Sequence, residues 1–328
     1  MSGARVAITI VTYNSAQYIS GCLEQALQQE HAPLEVIVID NASCDDTVSL
    51  LRPFEKHVRV ICNQRNTGFA AAQNQAISAA RLPDWVLTLN PDVRLRGDFV
   101  GTLLAAAASD DAIGSVCGKL LSASCDFTLG SPPLLDSTGI YFTPSFRHLD
   151  RGNGEQDRGQ YDRPEYVFGG TGAACLYRKT MIDDVSIAGE FFDPDFFAYR
   201  EDADVAWRAQ LFGWRCLYAP SAVGLHVRAV VPEKRGKLSP LINMHSVKNR
   251  WLMRIKNTTP DLYRRYWLPV TARDFVVVGG CLLGEWSSLP AFWRILQIRK
   301  SALEKRREIM RRRRATDDYI AAWFRGER

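Results

Sequence analysis

Val6-Ala7-Ile8-Thr9-Ile10-Val11-Thr12-Tyr13-Asn14 and, further on, Leu34-Glu35-Val36-Ile37-Val38-Ile39-Asp40-Asn41-Ala42-Ser43 share one construction: an aliphatic run that ends in a polar cluster. Short apolar runs of this kind are strands buried on both faces, as in parallel sheets. Between them Ile19, Cys22, Leu23, Ala26 and Leu27 fall on one helical face. Val58–Cys62 and Trp85–Leu89 repeat the strand signal, and alanine-rich helical stretches occupy 70–80 and 100–108. This alternation over the first ~120 residues predicts a parallel sheet with crossover helices, a nucleotide-binding half by architecture. Ligands of such sheets lie beyond the carboxyl ends of the strands. The residues to read are therefore Thr12, Tyr13 and Asn14, Asp40 and Asn41, the stretch Asn63 to Gly68, and Asn90-Pro91-Asp92. No GxGxxG follows the first strand and no GxxxxGK[ST] occurs, which excludes the usual dinucleotide and P-loop readings.

At 328 residues and 46% hydrophobic, the chain can fill a sizeable core. Its eight cysteines are dispersed with no CxxC pair, the pattern of reduced core thiols, which predicts the cytoplasm. No leader-like segment precedes Val6, and the longest apolar run, Phe275–Gly284, falls short of the roughly 18–20 residues a bilayer span requires. The net charge of +5 is unevenly spread: Arg299 to Arg314 hold nine basic residues against two acidic ones.

Residues 122–165 lack a period and are rich in Gly, Pro, Asp and Arg, which predicts an irregular excursion with hairpins. After Gly169-Gly170-Thr171-Gly172 come a strand at Ala173–Tyr177, then Phe191-Phe192-Asp193-Pro194-Asp195-Phe196-Phe197-Ala198-Tyr199-Arg200-Glu201-Asp202-Ala203-Asp204, then a return strand ending near His226. Carboxylates framed by aromatic rings are partly desolvated, where a pKa can be tuned for proton abstraction. The competing reading is a helix N-terminus, whose dipole favours acids. From about residue 241 the pattern is helical and basic. The expected organisation is a catalytic domain at 1–240, with a nucleotide half to about 120 and an acceptor half beyond, and a C-terminal membrane-associating region at 241–328.

Five motifs then carry a resemblance: Val11-Thr12-Tyr13-Asn14; Val38 to Ser43 with Asp46-Thr47; Asn66-Thr67-Gly68-Phe69; Leu89-Asn90-Pro91-Asp92; and Tyr199 to Asp204. Their order and spacing resemble the family 2 inverting glycosyltransferases. The run Gly189 to Arg208 with Gly213-Trp214-Arg215-Cys216 is most similar to bacterial rhamnosyltransferases, which add L-rhamnose from dTDP-rhamnose to a lipid-linked or polysaccharide acceptor. The resemblance implies an α/β GT-A fold, with a Rossmann-like central sheet and flanking helices, plus a basic helical C-terminal appendage. It implies that Thr12, Tyr13, Asn14, Asp40, Asn41, Asn66, Gly68, Asn90 and Asp92 line the nucleotide sugar. Asp202 corresponds to the base that deprotonates the acceptor, with Glu201 orienting the acceptor hydroxyl and Gly170 and Thr171 flooring its site. Asp92 and His226 correspond to the ligands of Mg2+ or Mn2+. The family's Asp-x-Asp stands here as Asn90-Pro91-Asp92, so one acid is replaced by an amide.

Expelling a diphosphate calls for a divalent cation held by few carboxylates, which independently suits Asp92. Asp40 can accept from the N3–H of uracil or thymine, which predicts a UDP or dTDP donor; the alternative is that it caps a turn with Ser43. A sugar nucleotidyltransferase needs a Gly-rich basic loop after its first strand, and Thr12-Tyr13-Asn14-Ser15 is neither. A non-catalytic binding protein needs no base at Asp202. Phe292 onward interleaves apolar residues with Arg and Lys, which predicts attachment to the anionic inner membrane surface, in preference to nucleic acid.

Overall fold

The computed structural model describes residues 3–228 and 240–326. β1 (Val6–Thr12), α1 (Ile19–Leu27), β2 (Leu34–Asp40), α2 (Thr47–Leu51), β3 (Arg59–Cys62), α3 (Phe69–Ala79) and β4 (Trp85–Leu89) form the expected parallel half, with strand order β4-β1-β2-β3. Every residue of β1 and β4 is buried, which is why both read as aliphatic runs. Ile8, Ile10 and Leu87 point to α1, whereas Ala7, Ile37 and Ile39 point to Ala72 and Ala76 of α3 on the opposite face.

The chain continues through β5 (Val93–Leu95), α4 (Phe99–Ala107), β6 (Ile113–Ala123), β7 (Leu129–Ser137), β8 (Ile140–Phe142), β9 (His148–Asp150), β10 (Glu165–Val167), β11 (Ala174–Arg178), α5 (Lys179–Val185), α6 (Glu201–Leu211) and β12 (Arg215–His226). β11 enters antiparallel between β4 and β6, and β12 runs parallel to β6 on its far side. The sheet reaches ten strands, with β8 and β9 forming a separate hairpin in the excursion that the sequence left without a period.

Four helices follow: α7 (Pro240–Asn257), α8 (Pro260–Leu283), α9 (Pro290–Arg312) and α10 (Asp317–Arg325). The expected switch to C-terminal helices is present, and these helices pack on the sheet half. Leu252, Tyr266, Ile309 and Phe324 share one core with Phe168 and Trp207 of the sheet half, and the Phe324 ring lies 5.3 Å from that of Trp207. Part of the basic run packs against the body of the protein: Arg312 donates to the Ser186 carbonyl at 2.9 Å, Arg313 pairs with Asp317 at 3.0 Å, and Arg314 pairs with Asp184 at 2.9 Å. Arg299, Lys300, Arg311 and Arg314 are exposed. One correction concerns α8: the helix extends from the apolar run back to Pro260, and an 18-residue window of it has a mean hydropathy of 1.2, long and apolar enough to cross a bilayer by composition alone.

The docking of these helices rests on buried charge. Lys256, 1% exposed, lies 2.6 Å from Asp193 and 2.8 Å from Asp204, while Lys305 reaches Asp193 at 2.5 Å and Asp195 at 2.6 Å. Arg208 completes the cluster at 2.9 Å from Asp204. Burial pushes the Asp193 carboxyl up, but Lys256 and Lys305 outweigh it and hold it below the ordinary carboxylate range. Replacing Lys256 by Met leaves two buried carboxylates short of a cation, and the unfolding free energy at neutral pH is expected to fall by about 3–5 kcal/mol in urea melts. Because the folded Asp193 titrates below its unfolded value, this contribution is full above about pH 4 and is lost as the pH falls further, so the variant should have a shallower acid-side decline.

Candidate active site

The pairing of β4 with β11 sets Leu89 opposite Ala174 and so brings the ends of two distant loops together. The Asn90 amide donates to the Ala173 carbonyl at 2.9 Å, and the neighbouring Gly172 amide donates to Asp202 Oδ2 at 3.0 Å. Two consecutive residues thus connect the Asn90-Pro91-Asp92 turn to Asp202. Tyr199 senses both ends: burial raises its phenol pKa first, and the charges of Glu201 and Asp92 raise it further.

His226 is placed by register. β12 pairs antiparallel with β5, His226 opposite Val93, so the imidazole lies beside Asp92 with Nε2 3.5 Å from its carboxylate. Its Nδ1 lies 2.7 Å from Asp136 Oδ2. Asp136 in turn accepts from Arg228 at 2.7 Å, and Arg228 donates to Asp150 at 2.7 Å. Burial disfavours charge on His226, but Asp136 and Asp92 raise its pKa to about 9. The negative charge of Asp150 is also felt by Asp202. Asp136, Asp150 and Arg228 were not singled out from the sequence. The only local signal is a carboxylate that follows apolar strand residues, as in Leu134-Leu135-Asp136 and Leu149-Asp150.

The acids of the aromatic segment divide into two groups. Asp193 and Asp204 are the ion-paired structural groups described above, and Asp195 pairs with Lys305. Glu201 and Asp202 occupy the first turn of α6. Glu201 is 6% exposed, its Oε2 has no hydrogen-bond partner among the described residues, and burial with the nearby charges of Asp202 and Asp204 holds its carboxyl well above the ordinary range. Burial raises Asp202 too, opposed in part by the Gly172 amide. The loop ahead of them is strained: Phe197, Tyr199 and Arg200 have φ of 66°, 71° and 72°. Asn249 of α7 holds it by donating to the carbonyls of Phe196, Ala198 and Tyr199 at 2.7–2.9 Å. Gly172, not Gly170, borders Asp202; a Cβ on Gly170 would meet Cys175 Sγ at 2.5 Å, and Thr171 is buried.

On the nucleotide side, Asp40 is 1% exposed and accepts from Thr12 Oγ1 at 2.9 Å, Ser43 Oγ at 2.6 Å and the Ser43 amide at 3.0 Å. It ties the ends of β1 and β2 together, the turn-capping alternative weighed above. Asn41 joins the next loop, donating to Asn66 at 2.9 Å and accepting from Asn63 and Thr67 at 3.1 Å each. Gly68, at φ 86°, lets Phe197 approach closer than any Cβ allows, so this loop and the strained loop are in contact. Asn14 accepts from the Cys44 amide at 2.8 Å, and Tyr13 is half exposed at the rim.

One carboxylate and one imidazole form an open donor set. No group of three His, Cys, Asp or Glu side chains that could hold a metal occurs among the described residues. Such a pair fits an ion whose remaining ligands come from phosphate oxygens and water. The hydrogen bond from Nδ1 to Asp136 is the outer contact a metal-binding histidine needs.

Comparison with known proteins agrees with this arrangement. The family model described as glycosyl transferase family 2 matches residues 7–186, more than half of the chain. The chain is 25% identical to N-acetylglucosaminyl-diphospho-decaprenol L-rhamnosyltransferase of Mycobacterium tuberculosis over 68% of its own length and 76% of that protein's. It is 36% identical to the succinoglycan biosynthesis protein ExoO of Rhizobium meliloti, over 34% of this chain and 31% of ExoO. It is 23% identical to poly-β-1,6-N-acetyl-D-glucosamine synthase of Staphylococcus epidermidis, over 71% of this chain and 52% of the synthase. Among solved structures, GalNAc-T7 with UDP, GalNAc and Mn2+ superposes with a TM-score of 0.59 at 13% identity, covering 77% of this chain and 48% of that one. The mannosyltransferase PcManGT from Pyrobaculum calidifontis with GDP-Man and Mn2+ gives 0.53 at 17% identity, covering 99% and 79%. These likenesses establish the GT-A fold, and the chain belongs to glycosyl transferase family 2.

Proposed function

We propose that this glycosyltransferase moves L-rhamnose from dTDP-rhamnose to a lipid-linked or polysaccharide acceptor with inversion. The observation that carries the mechanism is the connection of the Asp92 turn to Asp202 through Ala173 and Gly172. The acceptor hydroxyl gives its proton to Asp202 as its oxygen bonds to the anomeric carbon, and the bond to the diphosphate breaks on the opposite face. Glu201, whose buried carboxyl is held well above the ordinary range, hydrogen-bonds the acceptor hydroxyl and fixes its angle. Asp92 and His226 would hold a divalent ion, Mg2+ or Mn2+, which would supply neutralisation of charge on the departing diphosphate. Asp136 holds the His226 ring with Nε2 toward that position.

The rhamnosyl reading is supported by the mycobacterial relative, which spans most of both chains. A UDP-hexose or UDP-N-acetylhexosamine donor is the competing reading, supported by the staphylococcal synthase and by the UDP held by GalNAc-T7. Asp40 bears on either donor only after its Ser43 bonds open, so the exposed Tyr13 ring is the better candidate for stacking on the base. Calorimetry and turnover assays across dTDP-rhamnose, UDP-glucose, UDP-galactose and UDP-GlcNAc, each with Mg2+, Mn2+ or EDTA, decide between them. Preference for a UDP sugar overturns the rhamnosyl assignment.

Asp202→Asn is expected to keep donor affinity while lowering turnover by about 10² or more; near-normal turnover refutes the assignment. The base must be ionised and its carboxyl is raised, so kcat/KM of the wild type should fall with decreasing pH at a point above the ordinary aspartate range. Asp136→Asn should raise the metal concentration needed for half-maximal donor binding by about 10- to 100-fold, with the melting temperature measured alongside. An unchanged metal dependence assigns Asp136 to scaffolding alone.

A further inference from the structure

After first turns that expose Asp261, Arg264 and Arg265, α8 is apolar on both of its long sides from Trp267 onward. One side is docked: Leu262, Tyr266 and Val270 enter the main core, Tyr266 donates to the Ala321 carbonyl at 3.1 Å, and Cys281 packs with Val247 and Ala291. The other carries Trp267, Leu268, Phe275, Val276, Leu282 and Leu283, all exposed, with Phe275 at 75% and Leu283 at 88%. The surface continues over the turn to α9 with Trp286 at 70%, then Trp293 and Leu296. A surface helix of a soluble domain keeps that outer side polar, and a continuous apolar patch of this extent marks a contact surface.

The docked side decides how the patch meets its partner. Anchor points from Leu262 to Cys281 hold the helix along the body of the protein, and Arg254 pairs with Asp274 at 2.8 Å midway. α8 therefore cannot leave to cross a bilayer; its roughly 36 Å length lies along the surface. The charge beside the patch selects the partner. From Pro290 to Leu303 there are three basic residues, Arg294, Arg299 and Lys300, and no acidic one, and all three are exposed. Tryptophans at the rim of an aliphatic face, flanked by cations, fit the headgroup layer of an anionic bilayer.

The patch also adjoins the active site. Met244 and Val247 of α7 pack in its small core with Cys281, Ala291 and Phe292, while His245 between them stacks on Phe197 at 4.7 Å. Arg200 donates to the Ser246 carbonyl at 3.3 Å. One helix thus separates the apolar face from the loop that leads into Glu201 and Asp202.

We propose that α8 and the start of α9 form a monotopic anchor that lies in the interfacial layer of an anionic bilayer, with the crevice alongside. The anchor rests on these surfaces alone; its service to a lipid-linked acceptor rests on the function proposed above. The full-length protein is mixed with vesicles of phosphatidylglycerol and phosphatidylcholine, or of phosphatidylcholine only, and read by sedimentation and by tryptophan quenching with acyl-chain-brominated lipid. Expected are stronger binding to the anionic vesicles, weakening with salt, and quenching from within the bilayer. Leu282→Gln, Leu283→Gln and Trp286→Gln together, and separately Trp293→Gln with Leu296→Gln, should each weaken partitioning at least about tenfold with melting temperature and nucleotide-sugar affinity unchanged. Unaltered partitioning in both variants, absence of quenching, or a lipid-free dimer that the variants dissociate without any vesicle binding overturns the anchor. Vesicle binding that the variants abolish, in an enzyme inert toward lipid-linked sugars, supports the anchor and overturns the acceptor reading instead.

Discussion

The ammonium of Lys256, enclosed between Asp193 and Asp204, is the constraint on which the candidate active site depends. Asp193 begins the loop that ends in Glu201, and Asp204 lies one turn into the helix that carries Asp202. Fixing both carboxylates to one point on α7 sets the distance between loop entry and helix start. Three residues with positive φ lie between, each costing about 1–3 kcal/mol, so the intervening chain does not hold that shape by itself. Asn249, on the same helix, meets the carbonyls that the strained turn leaves without partners. The C-terminal helices thus hold the candidate active site in shape, although in sequence they follow it.

The parallel half of the fold was legible because its signals are local. An aliphatic run buried on both faces reads as a strand, and the polar residue after it reads as a site residue, in any chain of this class. The excursion from 122 to 165 was legible as hairpins but not strand by strand, since β7 carries Gly130, Pro132 and Pro133, β8 and β9 are three residues each, and the side chains that tie the excursion to the site come from far off in the chain. For the same reason Asp136, Asp150 and Arg228 escaped notice: their pairings span 78 to 92 residues, and nothing near them in sequence marks them as a set. The acidic-aromatic segment was read correctly as desolvated. Composition alone does not separate carboxylates that burial tunes from those that burial pairs, because the cations come from α7 and α9. The arginines at 311–314 are a mixed case: Asp317 pairs with Arg313 and Asp184 with Arg314, while Arg311 and Arg314 stay exposed.

Charge in the crevice is arranged as an alternating chain. Asp92 faces His226, His226 faces Asp136, Asp136 faces Arg228, and Arg228 faces Asp150, whose field reaches Asp202. Asp92, Asp136 and Asp150 each have an imidazole or a guanidinium against them, so two cationic partners stand between three acids. The order has a consequence for the two ends. Asp92 is backed by an imidazole, whereas Asp202 accepts from the Gly172 and Ala203 amides and burial raises its carboxyl. Two acids joined through one loop thus stand in different environments, which suits the different roles proposed for them.

The same logic of neighbours accounts for the two surfaces that flank this chain of charge. On the proposed reading, a nucleotide sugar, polar and multiply charged, would meet the rim formed by Tyr13, Asn14 and the loops after β1 and β2. An acceptor carried on a lipid cannot reach that rim from water without exposing its chain. The side of the crevice bounded by Phe197, His245 and α7 continues instead into the apolar face of α8 and α9. The strained loop lies between the two surfaces, so on the proposed reading the residues that orient the acceptor are held by the element nearest the anchor. Firm docking of α8 would then set the distance from a membrane surface to Asp202 by packing and not by the length of a tether.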